Sequence, residues 1–290
     1  MLEKHDISKR SRRQKGILTF VARDSTARVF CYVNATVRKQ AKNDEILRFA
    51  EYWNDHTGSW PRELIFDSRL TTYTNRMKIN DLGIRFITLR RRSRTLLEAL
   101  AVTPRESWKT ITLTNVCRVY RRPRILEETV NFAGYHRPLR KFAIHGLGHD
   151  QPTLLISNQF DETPTKLIDR YARRMVIENA IAEAIDQFHM DALSATVPLK
   201  IEFDLQLTIL AATLYRIFGN RIGNGLEKHT AKTLYRKFIQ AVATVEISSD
   251  TIDVKFGRRA HNPDLKLNGF EDQDCRLPWL GKRKLKLTFG

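Results

Sequence analysis

Residues 62–90 read RELIFDSRLTTYTNRMKINDLGIRFITLR, and their pattern decides the fold. The short apolar run ELIF ends in a carboxylate, Asp67, which predicts a buried strand with an acid at its exit. Thr72 to Asp81 predicts a helix, and Gly83 ends it because glycine takes the left-handed turn beyond a helix without steric cost. Ile84 to Arg90 then starts a second strand. Strand, helix and strand in this order predict a parallel crossover in an α/β sheet.

Upstream, ILTFVARD (17–24) and ARVFCYVNAT (27–36) are rich in β-branched and aromatic residues, and Ser25-Thr26 separates them, so a hairpin is expected. Behind Asn43-Asp44, the residues Ile46, Phe49, Ala50 and Trp53 recur at helical spacing and predict a helix over 45–54. Residues 1–15 are basic without apolar periodicity and predict a solvated arm. Downstream, KTITLTNVCRVY, LEETVNFAGY, PLRKFAIHGLG and PTLLISN are strand-like pieces divided by Pro, Gly and Asn, which predicts a β-rich insertion over 95–164. Thr165 to Met190 predicts one long helix. Helices near 205–218 and 230–241, a strand pair at 243–247 and 251–256, and a basic tail complete the chain. The expected divisions are an arm at 1–15, a core at 16–94 and 165–222 around the insertion at 95–164, and an extension at 223–290.

The 290 residues carry 50 Lys and Arg against 32 Asp and Glu, a formal charge of +18, which favours a polyanionic partner. Hydrophobic residues make up 42% of the chain, enough for a sizeable core. No run approaches the roughly 18 apolar residues of a membrane span, so a cytoplasmic protein with no membrane partner is expected. Cys31, Cys117 and Cys275 lack the spacing of a zinc site or disulfide framework and read as reduced thiols. No GxxxxGK[ST] occurs, which argues against an ATP-driven motor.

Tyr171, Arg174 and Glu178 form a Y-x2-R-x3-E pattern. On a continuous helix, about 100° per residue brings them to one face. By spacing alone, a core tyrosine beside an ordinary i, i+4 Arg–Glu pair fits as well. In their wider text, LIFDSRLTTYTNRMKINDLGIRFITLRRRS (64–93) and LIDRYARRMVIENAI (167–181), these residues resemble the DDE insertion-sequence transposases.

The resemblance implies an α/β fold: an RNase H-like mixed sheet interrupted by a β-rich insertion, with a helical C-terminal extension. It implies Asp67 and Glu178 as the second and third catalytic carboxylates and as metal ligands, and Tyr171 and Arg174 as residues that contact DNA or shape the site. Mg2+ or Mn2+ would occupy a two-metal site once the acid triad is complete. The implied partners are DNA, as transposon ends and target, and a second copy of the chain on that DNA. The implied reaction is strand hydrolysis at the ends followed by 3′-hydroxyl attack on the target.

The chain departs from the family pattern in two places. Where the signature continues to a lysine, it has Ile185. The first acid belongs on a strand before the hairpin, so it is expected to precede Met1, giving an N-terminally shortened and catalytically silent transposase. Asp24 is the candidate first acid within the hairpin, where turn formation competes with catalysis. The alternative is an inactive fragment that binds DNA or dimerises without cutting.

Among the basic residues, Arg90, Arg91 and Arg92 are expected at DNA phosphates, as are Arg118, Arg121, Arg122, Arg124, Arg137, Arg140 and Lys141; solvated charge at strand edges would serve equally. Asp161, Glu162 and Asp169 are expected to cap the long helix or complement its dipole, and His189 to end it.

Overall fold

The computed structural model describes residues 3–7, 12–116, 118–132, 135–192 and 195–290; Cys117 and the Arg118 side chain lie outside them. The chain forms two compact units, one from residues 1–22 and 34–180, the other from 23–33 and 181–290.

In the first unit, β1 (Glu3–Ile7) and β2 (Arg12–Gly16) pair antiparallel, so part of the expected arm is a hairpin. β3 (Leu18–Arg23) and β4 (Phe30–Val37) make the expected second hairpin as a separate two-stranded sheet. Its turn belongs to the second unit. There Asp24 Oδ1 accepts the amides of Thr26 and Ala27 at 2.7 and 2.6 Å, and Arg28 takes a left-handed φ of 60°. Asp24 therefore forms the turn, as its position before Ser-Thr favours.

α1 (Glu45–Thr57) buries Ile46, Phe49 and Ala50. β5 (Glu63–Phe66), α2 (Tyr73–Asp81) and β6 (Arg85–Leu89) follow as anticipated. Thr72 caps α2, Gly83 turns at φ 75°, and β5 pairs parallel with β6.

The stretch expected to be a distinct β-rich insertion differs in two respects. It begins with a helix, α3 (Arg94–Ala101), and its strands β7 (Lys109–Thr110), β8 (Arg124–Val130), β9 (Leu139–His145) and β10 (Thr153–Ser157) continue the core sheet. β10 pairs antiparallel with β6, giving six strands in the order β5-β6-β10-β9-β8-β7. Strand propensity marks these segments without saying which open edge they join.

Both faces of this sheet are covered. On one, Ile87, Phe142, Ile144 and Leu155 pack against Leu167 and Ile168 of α4 (Pro164–Ala172). On the other, Ala143 and Leu154 pack against Leu96 and Leu100 of α3. The near-continuous burial of β9 and β10, in which Arg140 and Lys141 are the charged exceptions, is what a two-faced core demands.

α5 (Met175–Phe188) ends at His189, whose left-handed φ of 53° supports its reading as a terminator. In the second unit follow α6 (Pro198–Ile222), α7 (Ala231–Leu234), β11 (Ala243–Ile247), β12 (Thr251–Phe256), α8 (Asn262–Leu267), β13 (Cys275–Leu277) and β14 (Arg283–Phe289). The expected basic tail is thus largely a strand, paired parallel with β12 and antiparallel with β13. Its alternating Lys and Leu carry a period of two that its charge obscures. Ile222, Leu226, Leu234, Phe238, Leu265 and Phe289 form the core of this unit.

Candidate active site

Asp67 follows β5 directly. Alternation puts it two residues beyond Ile65, on the sheet face where Ile65 joins the cluster that also packs Tyr171. A 3-10 turn at Ser68–Leu70 stops the strand, with the Leu70 amide donating to the Asp67 carbonyl at 3.1 Å. The Ser68 hydroxyl stands 3.4 Å from Asp67 Oδ1.

The helix expected to carry Tyr171, Arg174 and Glu178 together is broken. α4 stops at Ala172 and α5 starts at Met175, so Tyr171 ends one helix, Arg174 lies in the turn, and Glu178 occupies the first turn of the next. Short-range bonds replace the α ladder here, from the Arg174 amide to the Tyr171 carbonyl at 2.9 Å and from the Val176 amide to the Arg173 carbonyl at 2.9 Å. The three side chains nonetheless remain together. Arg174 Nη2 lies 2.9 Å from Glu178 Oε1, and its guanidinium carbon 5.6 Å from the Tyr171 ring centre. Glu178 is 51% exposed, which leaves it open to a ligand.

The Tyr171 hydroxyl is buried without a hydrogen-bond partner. Burial pushes its pKa up to about 12; Arg174 opposes the shift, while the carboxylates of Asp67 and Glu178 add to it. Because its folded pKa stands above the ordinary phenol value of 10.0, its contribution to stability is complete below pH 10 and is lost as pH rises toward 12. Absorbance titration at alkaline pH should show Tyr171→Phe lacking one late-ionising phenol; an unchanged titration curve would contradict the burial.

The acids near α4 are used differently from expectation. Thr163 is the N-cap. Asp161 pairs with Arg85 at 2.6 Å, and Glu162 lies 3.5 Å from Arg170. Asp169 is buried and anchors a loop, accepting the Thr114 amide at 3.0 Å, the Thr114 hydroxyl at 2.8 Å and the Asn115 amide at 3.2 Å. Main-chain donors from a distant loop take the place of the proposed helix-end role.

The basic residues also divide. Arg91 and Arg92 are exposed, Arg92 donating to Gln151 at 3.1 Å. Arg90 lies 4.9 Å from the centre of Phe132, Phe132 stacks 4.7 Å from Tyr73, and Arg76 lies 4.7 Å from Tyr73 on its far end of the row. This ladder was missed in the sequence, where the Tyr73–Arg76 spacing on α2 was its only local sign. Burial lowers the Arg76 pKa, and its Nε and Nη1 have no hydrogen-bond partner. Arg140 and Lys141, by contrast, are buried against Glu127 and Glu128, which removes them from the expected phosphate contacts. Ile185, at the position of the family lysine, is a partly exposed apolar residue.

Among the described residues, no group of three or more His, Cys, Asp or Glu could hold a metal ion. No helix among them is long and apolar enough to cross a membrane. No curated protein matches the chain. The family model for the transposase DDE domain matches residues 3–214, well over half the sequence and including Asp67 and Glu178. The chain belongs to the transposase DDE domain family.

Proposed function

We propose that this chain acts on DNA as a DDE transposase with an RNase H-like core, and that Asp67 and Glu178 supply two carboxylates of its cleavage site. The observation that carries the reading is the match of the DDE domain over residues 3–214, which takes in Asp67 together with the grouped side chains of Tyr171, Arg174 and Glu178. Asp67 and Glu178 would hold Mg2+ or Mn2+ through carboxylate oxygens, the donor type these hard ions take. When bound, the ion supplies activation of the attacking hydroxyl and stabilisation of the leaving oxygen. With an ion held, Glu178 would share its carboxylate between that ion and Arg174, and Arg174 would offer its remaining donors to a DNA phosphate. Tyr171 stays protonated at neutral pH and fixes the apolar floor beside the acids. Arg90, Arg91 and Arg92 hold the DNA backbone without reading its bases.

A second reading, DNA binding without cutting, is favoured by the absence of a three-ligand cluster among the described residues. Supercoiled plasmid incubated with the chain and Mn2+ separates the two. Nicked circles that vanish with chelator support cleavage; intact plasmid under saturating DNA binding supports the non-cutting reading.

A further inference from the structure

The sheet of the second unit runs β11-β12-β14-β13, so β11 and β13 are its edges. They are finished differently. β13 is three residues long and runs into Pro278, and shortness and a proline both keep an edge from pairing with another strand. β11 has no such guard. The Ser248 amide donates to the Thr251 carbonyl at 2.9 Å, and the Gly257 amide to the Val242 carbonyl at 3.3 Å. Bonded positions alternate along an antiparallel pair, so Thr244 and Glu246 bond to β12, while Ala243, Val245 and Ile247 turn their N–H and C=O groups outward. None of these three is charged, proline or glycine. Val245 and Ile247 stand opposite Val254 and Ile252, on the sheet face where Ile252 is buried, yet they are 55% and 68% exposed. The apolar face of the sheet thus runs on, uncovered, to an edge of unpaired backbone.

We propose that β11 accepts an extended segment of another protein as an added antiparallel strand, with β-branched residues at alternate positions and acidic residues at its C-terminal end. Main-chain bonds to Ala243, Val245 and Ile247 supply the attachment, and alternate side chains cover Val245 and Ile247. Charge sets the rest. Arg258 follows Gly257, which is bonded to Val242, and Arg259 Nη2 donates to the Arg236 carbonyl at 2.9 Å, so Arg236, Arg258 and Arg259 gather at the Ala243 end of the strand. The nearby Glu246 does not offset them, because Lys255 pairs with it at 3.0 Å. An antiparallel segment brings its C-terminal end to this cluster, which selects carboxylates there. A nucleic acid would meet the same cations and leave the outward amides, Val245 and Ile247 uncovered. The surface lies outside the family-matched residues 3–214.

The probe is a labelled, acetylated peptide in which valine alternates with threonine and which ends in glutamates, titrated by fluorescence anisotropy against the full chain. It should bind saturably and slow amide exchange at Ala243, Val245 and Ile247. Methylating its alternate backbone nitrogens should weaken binding by about tenfold or more, the loss of a few net hydrogen bonds. Val245→Pro removes an outward donor and no bond to β12, and should weaken binding to the same extent with an unchanged circular-dichroism spectrum. Arg236→Gln with Arg258→Gln should weaken the peptide ending in glutamates and not one ending in glutamines. Binding that is absent, or indifferent to backbone methylation, overturns the proposal. Equal binding of a peptide with its glutamates placed first overturns the direction. Exchange at β11 slowed instead by a duplex oligonucleotide would make the face a DNA surface, and slowing that grows with concentration of the chain alone would give the edge to a second copy; either result overturns the peptide assignment.

Discussion

Asp67→Asn and Glu178→Gln are each expected to lower Mn2+-dependent plasmid nicking by at least about 100-fold, the scale on which removal of one stabilising group from a reaction centre is felt. Each amide keeps the shape of the acid and removes its charge, so folding should change little. The two sites should differ in their side effects. Glu178 is exposed and paired with Arg174, so its amide leaves that guanidinium without a carboxylate and should sharpen binding to DNA phosphate. Asp67 is half-buried at the end of β5, so its amide removes a charge less open to solvent than that of Glu178. Plasmid nicking by purified variants, with filter binding in chelator as the control, checks both. Nicking that survives either substitution would remove that residue from the chemistry.

The second large effect concerns salt. Each phosphate contact contributes about 0.9 to the slope of log affinity against log salt, so Arg90→Ala, Arg91→Ala and Arg92→Ala together should make the slope shallower by up to about 2.7. The three are not equivalent. Arg91 is exposed, whereas Arg90 rests on Phe132 and Arg92 is bonded to Gln151, so Arg91→Ala should account for the largest single share. The loss should be the same for unrelated DNA sequences, because contacts to phosphate carry no base information. Fluorescence anisotropy across a salt series measures the slope, and an unaltered slope in the triple variant would take these arginines out of the DNA path.

Much of the first unit could be read from local pattern. The run ELIF followed by Asp67, the helix capped by Thr72 and ended by Gly83, and the strand after it all obey short-range rules, and the parallel pairing of β5 with β6 follows from their order. The joining of β10 to β6 was not legible, because edge choice depends on residues about seventy positions apart. The break between α4 and α5 was hidden as well. RYARRM contains neither Gly nor Pro, and the turn lies beside an aspartate tied to Thr114 and Asn115, far away in sequence. At the candidate site, the acids and their tyrosine and arginine stood out in the text. The ladder through Phe132 did not, since it forms only when the sheet brings that residue back to α2.

The pairs Arg140–Glu127 and Lys141–Glu128, whose cations are buried while the acids reach solvent, bear on how the sheet finds its alignment. Glu128 stands directly opposite Lys141 across β8 and β9, and the neighbouring pair joins these strands on the opposite face. A slide of one residue between the strands would turn each acid away from its base and leave two cations stranded among apolar neighbours, a heavy penalty. Val, Ile and Leu alone would tolerate such a slide far better. The two pairs thus act as a lock on register, rejecting misaligned hairpins during folding, and the central strands of the sheet inherit their correct alignment from it.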